Sequence, residues 1–150
     1  MNQLNWRLHL VVLVAVALFV VSLFLPAITC QHRAARVGLD VLSTGWAGLL
    51  MLDPRWYANP MALVLVYRLL FVKTAGFNPV LGVLILFCAI LSPLPSMACG
   101  GGAGGPEASV GLEPGGFLWM VSMITIAICG LGKGRAPEEG VETLVVEEKS

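Results

Sequence analysis

An apolar run from Leu8 to Leu25, interrupted only by His9 and Ser22, constrains this chain more than any other feature of its sequence. A helix rises about 1.5 Å per residue and needs roughly 20 apolar residues to cross a hydrocarbon core about 30 Å thick. This run nearly does so alone, and Pro26 ends it. Three further runs approach the same length. One extends from about Trp56 to Lys73, with Arg68 as its flaw. The next opens at Asn78-Pro79 and continues to Ser92-Pro93, and the last runs from Gly116 to Leu131. Composition agrees: of 150 residues, 57% are hydrophobic and only 12% charged. A soluble domain carries about 25% charged residues, so this chain lacks the polar surface to cover a globule.

These runs predict an all-α fold, a four-helix bundle integral to a membrane, with helices at about 8–25, 56–74, 78–94 and 116–132. Residues 1–135 form that domain, and the acidic stretch 136–150 is a disordered cytoplasmic tail. The later runs are shorter than the first, so a re-entrant hairpin over 59–91 stands as the alternative to two full crossings. Lys and Arg counts set the orientation, because positive charge stays on the cytoplasmic side. Arg7, Arg68, Lys73, Lys133, Arg135 and Lys149 fall inside, against Arg33, Arg36 and Arg55 outside, which favours both termini inside. Trp6 then sits at the inner boundary, and Trp56 and Trp119 at the outer one, as an aromatic belt requires. No A-x-A cleavage site follows the first run. Thr29 stands before Cys30 where a lipoprotein signal needs a smaller residue.

Recognition is expected in the first outer loop, 27–55. Ser43-Thr44 are placed to cap a short interfacial helix, GWAGLLML, with Trp46 on its apolar face. Trp46, Trp56, Asn59 and Pro60 together predict a structural corner at the outer surface, where Asn59 caps the second helix and Trp56 anchors it. The Gly-rich second loop, SMACGGGAGGPEASVGLEPGG, is expected to be flexible. The two Asn-Pro helix starts look alike over about 15 residues, as apolar helices sharing a cap do without any internal repeat.

The chemistry is sparse. Asp40, Asp53, Glu107 and Glu113 fall in outer loops and the other five acids in the tail, so no carboxylate is placed inside the membrane for coupled transport. His9 and His32 lie on opposite sides and cannot share a metal. No nucleophile, zinc-protease or phosphate-loop motif occurs, so no catalytic residue, metal or cofactor is expected. Nine basic residues balance nine acidic ones with no basic patch, which argues against nucleic acid. Cys30 and Cys99 are both expected at the outer face, as a disulfide or as free thiols, while Cys88 and Cys129 sit in apolar helices. Arg68 is read as reaching the inner headgroups, with a solute pathway or lipid contact as the other use of its charge.

LFLPA closing the first run, then GWAGLL, then WYANP opening the second, give a pattern carried by Leu25, Pro26, Gly45, Trp46, Trp56, Ala58, Asn59 and Pro60. It resembles an uncharacterised family of small bacterial inner-membrane proteins with four predicted helices. The resemblance covers about Leu8 to Leu131 and implies a multi-pass protein of the bacterial inner membrane, without implying an activity. The expectation is therefore a non-catalytic accessory or scaffolding subunit of an envelope complex, its partners the lipid bilayer and either other membrane proteins or copies of itself. A small oligomeric transporter or channel, lined by Ser22, Ser92, Ser122, Thr125 and Arg68, is the first alternative. A thiol redox protein using Cys30 and Cys99 is the second.

Overall fold

The computed structural model describes residues 3–30, 35–43, 56–72, 76–91 and 110–133. Most of these are helical. Four long helices, α1 (Gln3–Phe24), α2 (Ala58–Phe71), α3 (Asn78–Leu91) and α4 (Pro114–Lys133), account for the four apolar runs. Residues 38–43 form a further helical stretch. Within these helices, Trp6–Phe24 and Pro114–Lys133 are long and apolar enough to cross a membrane. At 14 residues each, α2 and α3 extend about 21 Å and are shorter than that.

Two helices run past their expected ends. No Pro or Gly interrupts Gln3 to Arg7, so α1 continues toward the N-terminus beyond its apolar stretch. Pro114 starts α4 two residues early, because its fixed φ suits the first turn and its missing N–H would be unbonded there anyway. In contrast α2 stops at Phe71, three residues short of its expected end, while the expected end of α3, residues 92–94, lies outside the described residues. At Val72, the residue after α2, the backbone is extended, with φ −103° and ψ 126°.

The expectation of an all-helical chain needs one correction. β1 (Pro26–Cys30) pairs antiparallel with β2 (Arg36–Val37) on one side and β3 (Val110–Leu112) on the other. Ile28, Thr29, Val37 and Val110 are β-branched, which favours extended backbone, and β1 follows α1 directly while β3 leads into α4. The sheet therefore ties the C-terminal end of α1 to the N-terminal end of α4.

Helix α4 lies at the centre, packed against α1, α3 and α2, and α3 also packs on α2. Helices α2 and α4 run parallel, as the bonds between their ends show: Trp119, near the start of α4, meets Asn59 at the start of α2, and Lys133, at the end of α4, meets the end of α2. Helix α3 runs the other way, its first residues Asn78 and Gly82 lying against Gly130 and Ala127 near the end of α4. Small residues let these helices approach. Ala15, Ala58, Ala62, Ala89 and Ala127 are buried, and a Cβ on Gly82 would lie 2.8 Å from the Ala127 carbonyl oxygen. Large apolar side chains lie mostly on the outside. Leu63 is 73% exposed, Phe71 72% and Phe87 58%, and long stretches of α1 and α3 behave likewise. The expected helix GWAGLLML and Trp46, residues 96–109 of the Gly-rich loop and the acidic tail lie outside the described residues; the end of that loop, expected to be flexible, instead forms β3 and the start of α4. Ser43 belongs to the preceding helical stretch and bonds back to the Asp40 carbonyl at 3.0 Å.

Candidate functional site

Polar side chains gather at the two ends of the bundle. At the end nearest the sheet, Asn59 is the second residue of α2 rather than its cap. The capping position is Tyr57, which makes no side-chain capping bond. A polar residue inside the first turn has no obligation to the backbone, and the Asn59 Oδ1 instead accepts a hydrogen bond from the Trp119 Nε1 of α4 at 2.8 Å. Trp119 is half-buried against the core, so its indole joins two helices and does not simply face outward. Trp56 is half-buried as well, and its Nε1 is a buried donor without a partner. Pro60 follows within the first turn, where no helical N–H bond is lost. Of the residues expected at the corner, Trp56, Asn59 and Pro60 lie at the start of α2, without the cap expected of Asn59, and Trp46 lies outside the described residues; Trp119, which sequence reasoning assigned to an outward belt, bonds to Asn59 instead.

Backbone contacts close this end further. The Glu113 N–H donates to the Ala27 carbonyl at 3.1 Å, and the Thr29 hydroxyl donates to the Glu113 carboxylate. Glu113 precedes Pro114, so its charge sits at the positive end of the α4 dipole. A Cβ on Gly115 would lie 2.7 Å from the Pro26 carbonyl oxygen, and one on Gly116 2.6 Å from that of Ala27. Only glycine allows so close a crossing.

The opposite end is built from charged side chains. Arg68, in the last turn of α2, donates from Nε to the Asn78 Oδ1 at 2.8 Å. Asn78 begins α3 and is fully buried, and its Nδ2 has no partner. Lys133, the last residue of α4, donates from Nζ to the carbonyl oxygens of Arg68, Leu69 and Val72 at 3.3, 3.1 and 2.8 Å. Those carbonyls end α2, where a cation offsets the negative pole of the helix dipole, an effect of about 0.3–1 kcal/mol at exposed sites. Three helices thus meet through Arg68, Asn78 and Lys133. Sequence reasoning found Arg68 and missed both partners. The repeated Asn-Pro and a Lys closing the last apolar run were the available signals.

The hydroxyls proposed to line a pathway are spent on carbonyls. Ser122, fully buried, donates to the Ala15 carbonyl of α1 at 2.8 Å, while Ser22 and Thr125 bond within their own helices at 2.6 and 2.7 Å. Ser92 and Cys99 lie outside the described residues. Cys30 ends β1, and Cys88 and Cys129 are buried within α3 and α4. Among the described residues no group of three or more His, Cys, Asp or Glu is placed to hold a metal ion. No protein-family model, curated protein or solved structure matches this chain.

Proposed function

We propose that this chain is a multi-pass protein of the bacterial inner membrane, with four helices crossing, both termini inside, and a non-catalytic role as an accessory or scaffolding subunit of an envelope complex. The observation that carries the membrane part is the distribution of side-chain size. Leu63, Phe71, Phe87 and Ile128 face outward with many other large apolar side chains, while Ala, Gly and Ser share the helix contacts with a smaller set that includes Leu65, Leu69, Ile85 and Met123. A soluble domain gains its stability by burying large apolar groups, at about 25 cal/mol per Å², and this arrangement leaves many of them outside. Hydrocarbon around the bundle removes the penalty, and close packing of small residues then holds the helices together. The orientation draws support from charge: among the described residues, Arg7, Arg68 and Lys133 share one end without a carboxylate, and Asp40 and Glu113 share the other with Arg36.

The accessory role rests on what the described residues bring together, two structural corners and the Ser122 bond that joins α4 to α1. The Ser22, Ser122 and Thr125 bonds to carbonyls favour packing over conduction. Resemblance to the small four-helix inner-membrane family belongs to the same proposal. The test has two stages. The full chain should stay in membranes washed at alkaline pH, and gentle extraction through a C-terminal tag should then recover a partner membrane protein in stoichiometric amount. Release by the alkaline wash contradicts the membrane reading, and recovery of a lone homo-oligomer contradicts the accessory role.

A further inference from the structure

At the end of the bundle where α2 and α4 stop and α3 begins, two basic residues meet. Lys133 Nζ lies 3.3 Å from the backbone carbonyl oxygen of Arg68. The three carbonyls around that ammonium match its three protons, so Lys133 supplies charge and no spare donor. Arg68 is different. Its Nε is fixed on the fully buried Asn78, and its two terminal nitrogens find no acceptor among the described residues. The Asn78 Nδ2, also buried, is a further donor without a partner at the same corner. Asp40 and Glu113, the carboxylates of the described residues, belong to the opposite end. A planar guanidinium held by its Nε, with its fork unfilled among the described residues and an ammonium bonded to the backbone carbonyl of the same residue, has the form that recognises phosphate by paired hydrogen bonds.

We infer that Arg68 binds the phosphate of an anionic lipid headgroup, with Asn78 orienting the guanidinium and Lys133 adding the charge that favours a net-negative lipid over a zwitterionic one. The inference rests on the membrane reading above, which puts this end of the bundle at headgroup level, where lipid phosphate is the most concentrated anion. Like charges close together at a membrane boundary are costly, and a bound anion offsets that cost.

The test uses the full chain purified in detergent from alkaline-washed membranes and titrated with phosphatidylglycerol, phosphatidylcholine or inorganic phosphate under native mass spectrometry. Phosphatidylglycerol is expected to bind roughly tenfold more tightly than phosphatidylcholine. Arg68→Gln should erase that preference, while Arg7→Gln, which removes an exposed cation of the same end, should keep it. Equal binding of the two lipids by the wild-type chain overturns the inference, and this comparison decides alone if Arg68→Gln does not fold. An equal loss in Arg7→Gln also overturns it. So does inorganic phosphate that displaces phosphatidylglycerol at equal concentration, which assigns the site to free phosphate. A preference that emerges only after Glu138→Gln and Glu139→Gln assigns the anion to the chain's own tail and is equally fatal. Failure of the membrane reading is separate: it shows as release by the alkaline wash, before any lipid is added.

Discussion

At the start of α2, Asn59 accepts a hydrogen bond from a neutral indole; near its end, Arg68 donates one to Asn78 from a guanidinium. The surroundings differ in the same sense. The end with Asn59 is closed by backbone, through the β1–β3 pairing and the crossings at Gly115 and Gly116, where carbonyls approach too closely for any side chain. The end with Asn78 is closed by side chains, through Lys133 on the last carbonyls of α2. Backbone closure is insensitive to salt and intolerant of added volume. Closure by charge tolerates volume, depends on its counter-groups and is screened by salt. The difference teaches that the same Asn-Pro phrase does two jobs, set by which donor the facing helix brings.

Four single substitutions and one double variant test this contrast, in order of expected effect. Gly116→Val drives a side chain into the Ala27 carbonyl and the Leu112 side chain, and is expected to destabilise by about 3 kcal/mol, since overpacking against backbone cannot relax. Its measure is the midpoint of unfolding of the detergent-solubilised protein. Asn78→Leu leaves Arg68 without its acceptor, a loss of about 2 kcal/mol. Adding Arg68→Met should restore much of it, because replacing both partners removes the unpaired charge. A double variant less stable than Asn78→Leu alone would break the pairing argument.

Asn59→Ala should cost about 1 kcal/mol, the value of a neutral hydrogen bond, and shift the emission of Trp119 as its N–H loses a defined acceptor. Lys133→Met is the smallest, about 0.5–1 kcal/mol at low ionic strength, and its effect should shrink as salt rises while that of Asn59→Ala does not. Equal salt dependence at both ends would erase the distinction between them.

The helices were legible because hydropathy is written into each residue, and each of the four long runs produced one. Their ends were less so. Apolar length said nothing of Gln3–Arg7, whose helical state needs only an uninterrupted backbone, and nothing of Pro114, whose ring sets the start of α4. The sheet was invisible because β1 and β3 lie far apart in the chain and are short. At the corners, sequence identified Asn59 and Arg68 as unusual residues in apolar surroundings. Their partners Trp119 and Asn78 could not be read, since which residues meet depends on how the helices rotate against one another. Local cap chemistry suggested that Asn59 would serve its own helix. The bond to Trp119 won because the capping position fell at Tyr57.

The central claim is that the bundle spans a membrane with its two ends on opposite sides. Gly76 and Gly111 report on those ends directly. Both are exposed, a Cβ at Gly76 meets nothing within 4 Å, and one at Gly111 meets only the Thr29 Cβ at 3.8 Å. With the four native cysteines replaced, Gly76→Cys and Gly111→Cys are each treated with a membrane-impermeant maleimide in intact spheroplasts and again after lysis. Labelling of Gly111→Cys in intact spheroplasts, with Gly76→Cys reacting only after lysis, is the predicted result. Equal reactivity of the two positions before lysis would contradict it.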